Sequence, residues 1–592
     1  MKKIPHSKRK FLVPVFLLLA ALVFTLILTK KGVFLTEDAR FEKFTHSLFT
    51  EEVSSNTLNL HYTLAYPEKY GIKDYPIRLG SMDISRLKEG YDSVENYKKK
   101  LEQFDFQKLS KDNRMTYDIL NLEFATQLSV KDFYLLQEPL SPSLGIQSQL
   151  PVLLAEYTFR TSDDIKDYFS LLASITDYFD EILEFEQEKA KQGLFMSDTT
   201  VDRIVEQCSS FTKDASSNYL STMFEEKMNE FSSRGALTEK QADSYIKMQK
   251  KLMEKRVIPA YQTLCQGLTD LKGSGSNLGG LSYLSGGTEY YRYLIRSDTG
   301  DYRSIKEIEQ RLYTQLFADY KEMQNILASD PELLSQVTSL PTQGENTPAQ
   351  MLDYLNQAMK KDFPDNGKPS YKVKYVHSSM EEFSSPAFYL TPPTDTLSPN
   401  VIYINKRSQV TEAELFTTLA HEGFPGHLYQ TLYYGKTKPD DIRQLLSFGG
   451  YVEGWATYVE SISYGYGADF LKLDSSIMRL LWLNRSVSLC LYSLLDIGIH
   501  DHGWDLPTVT KTLKSFGITS DDTCKEIYQY IIETPGNYLK YYLGYLNFMD
   551  LREEVKEEAG KSFSLKEFHQ HILELGPAQF PILEKYLMLE YE

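Results

Sequence analysis

The stretch AHEGFPGHLYQ, residues 420–430, contains side chains that could bind a metal ion and activate water. His421 and Glu422 match the start of the zinc-binding pattern H-E-x-x-H, whose two histidines share one helix face. Here the second histidine, His427, follows six residues after the first, which in a regular helix would turn the two imidazoles about 240° apart. Pro425 interrupts a helix and Gly426 gives the backbone freedom to turn back. We therefore expect a distorted turn that brings both imidazoles to one ion.

A third protein ligand is expected in GGYVEGWATYVES, residues 449–461, because catalytic zinc sites use three protein ligands and leave a fourth position for water. Glu453 and Glu460 are seven residues apart and share one helix face. We assign Glu453 as the third ligand and Glu460 as the partner that orients a ligand imidazole. The reverse assignment stays open. Gly450 and Gly454 would permit the close approach of another backbone.

Glu422 is the candidate general base, since it follows a ligand directly and points elsewhere on the helix. Zinc lowers the pKa of a bound water from 15.7 to about 7, so a neighbouring carboxylate suffices to complete the activation. Each residue also has an ordinary explanation. The Pro-Gly pair could be a helix end, Glu453 could be a surface residue, and the pairs His500/His502 and His569/His571 show how easily paired histidines arise.

The surrounding pattern predicts a mostly α fold with a small β-sheet beside the site. Residues 36–272 form an N-terminal helical region, 273–287 a flexible Gly/Ser-rich connection, and 288–592 the catalytic region with the metal motifs. Thr411 with Glu414 forms a capping box that starts the helix leading to His421. YKVKYV and NVIYIN, on the approach to residue 420, are each predicted to be a short strand.

Residues 1–35 are predicted to be a cytoplasmic basic stub and a signal anchor. Five Lys/Arg stand in the first ten residues, and residues 11–29 carry no charge, which is about enough to cross one hydrocarbon core. The basic cluster keeps the N-terminus in the cytoplasm and places the rest of the chain outside the cell. A cleaved signal peptide followed by secretion is the alternative. No cysteine stands near the end of the span, so a lipid-modified anchor is not expected.

Composition narrows the class of protein further. The formal net charge of −17 argues against nucleic-acid binding, which needs a basic surface. The four cysteines, Cys208, Cys265, Cys490 and Cys524, are not in C-x-x-C spacing. They could form one or two disulfides, or they could be small buried residues with free thiols, and the sequence leaves both alternatives open.

Five motifs in order resemble those of the bacterial domain of unknown function 885 family. HEGFPGHLYQ followed by EGWATYVE resembles its H-E-x-x-P-G-H-x-x-Q and E-G-W-A-x-Y-x-E patterns. LLDIGIHDHGW (494–504), PGNYLKYYLGYL (535–546) and FHQHILELGPAQFPILE (568–584) resemble its later motifs. The resemblance implies a zincin-like helical metallopeptidase architecture with His421, His427 and Glu453 as ligands and Glu422 as catalytic. Families similar to dipeptidyl-peptidase III also have widened histidine spacing.

The same resemblance implies two further residues near the site. Tyr541 is the expected oxyanion donor, and His500 is the expected contact to a substrate or transition state. Asn537 stands where the family commonly has glutamine, and Gln570 where it often has aspartate. Both departures bear on fine specificity and not on the proposed ligands.

The resulting expectation is a membrane-anchored, extracytoplasmic zinc metallopeptidase. It would bind one Zn²⁺ per chain, although other divalent metals could occupy the same ligands. A peptide substrate would lie between its two helical regions. The alternative is a non-catalytic surface protein that binds peptide or cell-wall material with a structural metal cluster. A regulatory protein that senses envelope peptides is a third possibility. Oligomeric state is open.

Overall fold

The computed structural model describes residues 35–213, 218–275, 279–342, 344–377, 381 and 385–592. The protein is mostly helical with a small three-stranded sheet, as the sequence predicts. The α-helices of the described residues, numbered in chain order, are α1 Glu37–Val53, α2 Thr57–Thr63, α3 Ile84–Leu101, α4 Lys111–Leu128, α5 Ile146–Glu156, α6 Ser162–Lys191, α7 Asp198–Thr212, α8 Tyr219–Ser233, α9 Glu239–Leu252, α10 Ile258–Asp270, α11 Gly287–Leu294, α12 Ile305–Ser329, α13 Leu333–Thr338, α14 Pro348–Ala358, α15 Glu412–Glu422, α16 His427–Lys436, α17 Gly449–Leu471, α18 Ser475–His500, α19 Leu506–Ser515, α20 Asp521–Glu533, α21 Asn537–Ala559, α22 Leu565–Leu575 and α23 Phe580–Met588.

Two large hydrophobic cores organise these helices. One lies among the N-terminal helices and is built mainly from residues between 58 and 268, whereas the other is built mainly from residues between 291 and 587. Each core also takes residues from the other part of the chain: Met115 and Ile119 of α4 join the C-terminal core, and Val401 and Tyr403 join the N-terminal one. Burial of these side chains therefore packs the N-terminal and C-terminal regions against one another.

The sheet contains β1 Lys372–Tyr375, β2 Ala387–Leu390 and β3 Val401–Ile404 in the order β1-β3-β2. β1 pairs with β3 in parallel, and β2 pairs with β3 antiparallel, with Tyr389 opposite Ile402. The predicted strands correspond to β1 and β3. Sequence analysis missed β2, because its residues AFYL neither alternate between polar and apolar nor include a β-branched side chain. β2 is an edge strand, and its free edge faces the C-terminal end of α15.

The glycine-rich segment 273–287 does not behave as a free linker in its described part. Gly280 lies so close to α18 that an added Cβ would be 2.5 Å from the carbonyl oxygen of Ile499. The backbone N–H of Leu281 donates to His500 Nδ1 at 3.1 Å. The expectation of a flexible connection is therefore wrong for residues 279–287, because their glycines permit close packing instead of free rotation.

The predicted signal anchor, residues 11–29, lies outside the described residues. Within the described part of the chain, one helix, α18, is long and apolar enough to cross a bilayer, and 72% of its apolar stretch is buried inside the protein. All four cysteines are free thiols, with Cys208, Cys490 and Cys524 buried. The expectation of small buried thiols therefore holds for these three.

Candidate metal centre

The helix that carries His421 begins and ends where the sequence predicts. The N–H of Glu414 donates to Thr411 Oγ1 at 3.2 Å, and the N–H of Thr411 donates to a Glu414 carboxylate oxygen at 2.7 Å, which forms the capping box at the start of α15. α15 ends at Glu422, and α16 begins at His427. The break that Pro425 predicts is therefore present, and it separates the two histidines into two helices.

Gly426 and Trp455 hold the tight turn between these helices. A Cβ at Gly426 would stand 1.8 Å from the carbonyl oxygen of His421, so only glycine fits there. The indole N–H of Trp455 donates to the carbonyl oxygen of Pro425 at 3.0 Å. The two imidazole rings consequently lie 4.8 Å apart between centroids, at 88° to one another. The turn brings both rings to one side despite their six-residue spacing.

Glu453 of α17 completes a cluster with the two imidazoles. Its Oε2 lies 3.4 Å from His421 Nε2 and 3.4 Å from His427 Nε2. The three potential ligand atoms all lie within 4.8 Å of one another. Two donors about 2.1 Å from a shared tetrahedral ion are separated by about 3.4 Å. The two separations between Glu453 and the imidazoles match this value, and two imidazole nitrogens with one carboxylate oxygen are the donor set of a zinc-type centre.

Close packing of α17 against α21 sets the position of Glu453. A Cβ at Gly454 would stand 2.5 Å from the backbone of Gly544, and a Cβ at Gly544 would stand 2.2 Å from the carbonyl oxygen of Gly450. The close approach expected from Gly450 and Gly454 therefore occurs, and the partner backbone belongs to α21. Backbone atoms of the two helices are in direct contact at this crossing, so moving α17 away from α21 would open a gap in the core.

Glu460 links the cluster to a second partner. Its Oε2 lies 3.3 Å from His421 Nδ1, and its Oε1 lies 3.4 Å from Nε of Arg485. Burial lowers the pKa of His421, but hydrogen bonds to Glu453 and Glu460 and the charge of Glu422 outweigh it and raise the pKa to about 10. The surrounding carboxylates therefore make the position of His421 favourable for a positive charge.

Burial alone would raise the pKa of Glu453 and of Glu460. His427 and His421 instead hold the pKa of Glu453 well below its usual range, and Arg485 and His421 lower that of Glu460. Both groups are thus carboxylates at neutral pH. Glu453 contacts both imidazoles on their Nε2 side, whereas Glu460 contacts the remaining nitrogen of His421, so the two residues occupy the places of a ligand and of an orienting partner.

Glu422 points from the end of α15 towards the sheet. Its Oε2 accepts a hydrogen bond from the backbone N–H of Tyr389 in β2 at 2.9 Å. The side chain is half-buried. An edge strand thus holds the carboxylate beside His421 while leaving its other oxygen for a further donor.

Tyr541 lies on the cluster side of α21. Its ring is 6.3 Å from that of His421, at 27°. Burial raises the pKa of its phenol far above the usual range, the charges of Glu453 and Glu422 add to this, and Arg485 opposes it. Tyr541 therefore remains a hydrogen-bond donor at neutral pH.

His500 does not lie open to a substrate, contrary to expectation. Its Nδ1 accepts from Leu281, so Nε2 carries the proton and donates to the carbonyl oxygen of Ile531 at 3.0 Å. Only 1% of the residue is exposed. Both ring nitrogens are hydrogen-bonded to backbone groups, so His500 connects α18 to the segment at Leu281 and to α20 at Ile531. It joins these three segments and has no free nitrogen for a substrate.

Three supporting residues escaped sequence analysis. Tyr389 acts through its backbone N–H, for which no side-chain pattern exists. Trp455 stands in the motif EGWATYVE, where a buried indole N–H requires an acceptor. Arg485 is the one charged residue in the stretch LLWLNRSVSLCLYSLL of α18, and a charge in the middle of a core helix is the signal that could have found it.

Comparisons with known proteins found solved structures with a similar fold and a matching sequence family. The chain is similar to the "putative lipoprotein from Colwellia psychrerythraea", with a TM-score of 0.80 and 19% identity over 94% of this chain and 100% of that one. It is also similar to a "putative lipoprotein of unknown function from Shewanella oneidensis", with a TM-score of 0.61 and 16% identity over 93% and 99% of the two chains. These likenesses concern the fold.

No curated protein matches the chain. The model of the family described as "Bacterial protein of unknown function (DUF885)" matches residues 68–587, which include the two histidines, Glu453, Glu460 and Tyr541. The expected resemblance is thereby confirmed: this chain belongs to the DUF885 family of bacterial proteins of unknown function.

Proposed function

We propose that this protein is a zinc-dependent metallohydrolase that cleaves peptides outside the cytoplasm. The observation that carries the proposal is the convergence of His421, His427 and Glu453, whose potential ligand atoms lie within 4.8 Å of one another. Two imidazoles and one carboxylate form the ligand set of catalytic zinc sites that retain a position for water. Manganese, cobalt or iron could occupy a similar ligand set.

A zinc ion bound by these ligands would act as a Lewis acid towards water and a substrate carbonyl. The protein's own groups supply the remaining steps. Glu422, held by the N–H of Tyr389, takes a proton from the attacking water and delivers it to the leaving amine. The phenol of Tyr541 donates a hydrogen bond to the oxyanion that develops on the carbonyl. Glu460 keeps His421 oriented through its Nδ1.

A peptide is the proposed substrate because a large space lies between the two helical regions and reaches Lys540, the chain neighbour of Tyr541. A cavity of about 480 Å³ is lined by N-terminal residues such as Phe195 and by residues of the C-terminal region including Asp298 and Lys540. Lys540 directly precedes Tyr541 in α21. A cavity of this size accommodates a few amino-acid residues, and its mixed polar and apolar lining suits a peptide better than a purely apolar ligand.

We further propose that the protein acts at the outer side of a membrane. Both similar solved structures carry the name of putative lipoproteins, which supports membrane association, while the charge-free residues 11–29 supply a hydrophobic anchor in this chain. Fractionation of cells is the test. The full-length protein should sediment with membranes, and a protein without residues 1–35 should not. Recovery from the medium of protein that has lost its N-terminal segment would indicate secretion instead.

A non-catalytic binding protein is the second candidate. The observation in its favour is that His421 and His427 each form an ion pair with Glu453, so the buried groups have partners even without an ion. In that case the cluster would hold α15, α16 and α17 together and the neighbouring cavity would bind peptide or cell-wall material.

Metal content and turnover separate the two candidates. We expect the full chain to bind about one zinc ion, and Glu422→Gln to keep the ion while losing roughly 100- to 10,000-fold in the rate of peptide cleavage, as expected for removal of a general base. Glu414→Gln is the matched control, since Glu414 caps the same helix far from the cluster. A folded, metal-free protein, or equal turnover by the Glu422→Gln variant, would overturn the proposal.

A further inference from the structure

Arg485 lies beside the metal cluster with most of its hydrogen-bonding capacity unused. It stands on α18, and its Nε is 3.4 Å from Oε1 of Glu460, the carboxylate that contacts His421. Among the described residues, no other carboxylate lies within 4.0 Å of its guanidinium. An arginine has five N–H donors, so the two terminal nitrogens remain for another acceptor.

The side chain of Arg485 is partly exposed even though α18 is a core helix. The Arg485 side chain is 45% exposed, whereas its partner Glu460 is only 7% exposed. The contact with Glu460 therefore fixes the guanidinium at its Nε, and the hydrogen-bond contacts of the described residues include none from its terminal nitrogens. Such a cation is held in place before any ligand arrives, which reduces the entropy lost on binding.

Tyrosines cluster near Arg485. Tyr538 and Tyr541, on the first turns of α21, are half-buried, and the ring of Tyr538 lies 4.9 Å from Tyr492 and 5.9 Å from Tyr530. The charge of Arg485 acts on the phenols of both Tyr538 and Tyr541. We call these four residues the tyrosine wall. Half-buried rings of this kind contact peptide chains with their faces and donate through their hydroxyls.

A second cation stands next to the wall. Lys540 Nζ is 5.4 Å from the centre of the Tyr541 ring. Lys540 also faces Asp298, whose pKa is raised to about 6 by burial, an effect that the lysine opposes. Because Asp298 offsets its charge, Lys540 is the weaker anion partner and Arg485 the stronger one.

We propose that Arg485 and the tyrosine wall form a subsite that recognises a free carboxylate of the peptide substrate, so that the protein prefers peptides bearing a carboxylate a short distance from the cleaved bond. The planar guanidinium matches a carboxylate with two parallel N–H···O bonds. A chain-terminal carboxylate and an acidic side chain share this chemistry. The proposal rests on the proposed function for the identity of the ligand as a peptide substrate.

The test measures binding and not turnover, so that it stands apart from the test of catalysis. Full-length protein carrying Glu422→Gln is titrated with a set of short synthetic peptides of one sequence that differ only at the C-terminus or at one side chain. One member ends in a carboxylate, one in an amide, and two amidated members carry Asp or Asn. We expect the carboxylate to improve affinity by about 10- to 100-fold over its amide, as for a hydrogen bond to a charged group.

Variants of the arginine decide whether the preference originates there. Adding Arg485→Gln should remove the preference of acid over amide, and Arg485→Lys should restore part of it. Arg479→Gln is the matched control, because Arg479 lies on the same helix and pairs with Glu322 at 2.6 Å and 2.7 Å, away from the cluster. It should leave the preference unchanged.

A purely structural role of Arg485 gives a different result. If the arginine acts only by holding Glu460, then Arg485→Gln and Glu460→Gln should weaken metal binding alike and lower the affinity for acid and amide peptides by the same factor. An unchanged ratio of acid to amide affinity in Arg485→Gln, or no preference in the parent protein, overturns the inference. If the protein prefers the Asp peptide over the Asn peptide but does not distinguish a C-terminal carboxylate from an amide, the subsite recognises acidic side chains.

The outcomes for this inference and for the proposed function are separable. Acid-selective binding that depends on Arg485, with no cleavage of any peptide by the protein with its native Glu422, would support the subsite and contradict the hydrolase. Cleavage without acid selectivity would do the reverse.

Discussion

Two carboxylates seven residues apart on α17 have different partners and therefore different tasks. Glu453 contacts Nε2 of both histidines, whereas Glu460 contacts Nδ1 of His421 and the guanidinium of Arg485. A ligand loses a bond to the ion when it is replaced, but an orienting partner only loosens a ligand. The relative cost of replacing each one therefore distinguishes their roles.

We expect Glu453→Gln to weaken zinc binding more strongly than Glu460→Gln. Loss of an orienting partner typically costs about 10- to 100-fold in metal affinity, so Glu460→Gln should fall in that range and Glu453→Gln beyond it. Competition titration with a zinc-sensitive dye measures both dissociation constants. The opposite order would support the reverse assignment, in which Glu460 is the ligand.

At the scale of the elements, the contact between α17 and α21 determines where Glu453 and Tyr541 stand. Gly450 and Gly454 on one helix and Gly544 on the other remove side chains from the crossing. The helices can then approach backbone to backbone, which brings Glu453 and Tyr541 from distant parts of the sequence to the same cluster.

Gly544→Ala should separate the two helices and damage the centre. Its new Cβ would stand 2.2 Å from the carbonyl oxygen of Gly450, and relief of such a clash in a packed core typically costs about 1–3 kcal/mol. We expect a lower melting temperature together with weaker zinc binding. Gly465→Ala is the control on α17, since no atom lies within 4 Å of its added Cβ. Equal stability of the two variants would contradict the role of this crossing.

His500 joins three segments only while it is neutral. Burial lowers its pKa to about 4, so between pH 6.5 and pH 4 the unfolded chain binds a proton that the folded protein does not. Its contribution to stability is complete above pH 6.5 and falls by roughly 1 kcal/mol per pH unit below it. Melting curves from pH 7 to pH 5 should show a shallower pH dependence for His500→Gln than for the native protein, whatever the absolute stability of the variant. Parallel curves would contradict this account.

At the scale of the whole molecule, the centre gathers residues from α15, α16 and α17, with β2 and α21 beside it. An ion that binds only this folded arrangement stabilises the entire protein. At a free zinc concentration 1,000 times the dissociation constant, the stabilisation is about 4 kcal/mol. Removal of zinc by a chelator should therefore lower the melting temperature, and zinc should restore it. The His421→Ala variant should not respond to the chelator, and a response equal to that of the native protein would contradict a site at this cluster.

Local sequence patterns were sufficient to predict those structural features that depend on residues adjacent in the chain. The capping box at Thr411, the helix break at Pro425 and Gly426, and the strands at 372–375 and 401–404 all follow from backbone preferences within a few positions. The five ordered motifs, which are a property of the sequence as such, were also sufficient to predict the family by resemblance.

Only the tertiary structure decided which side chains meet. Glu453 rather than Glu460 faces both imidazoles because α17 crosses α21 at its glycines. Tyr389 reaches Glu422 through a strand that periodicity does not reveal, and His500 turns inward because the glycine-rich segment packs over it. Arg485 acquires its place beside the cluster in the same way. These contacts join residues 25 to 219 positions apart. Packing of apolar surfaces between distant elements, which spacing along the chain does not specify, is what brings them together.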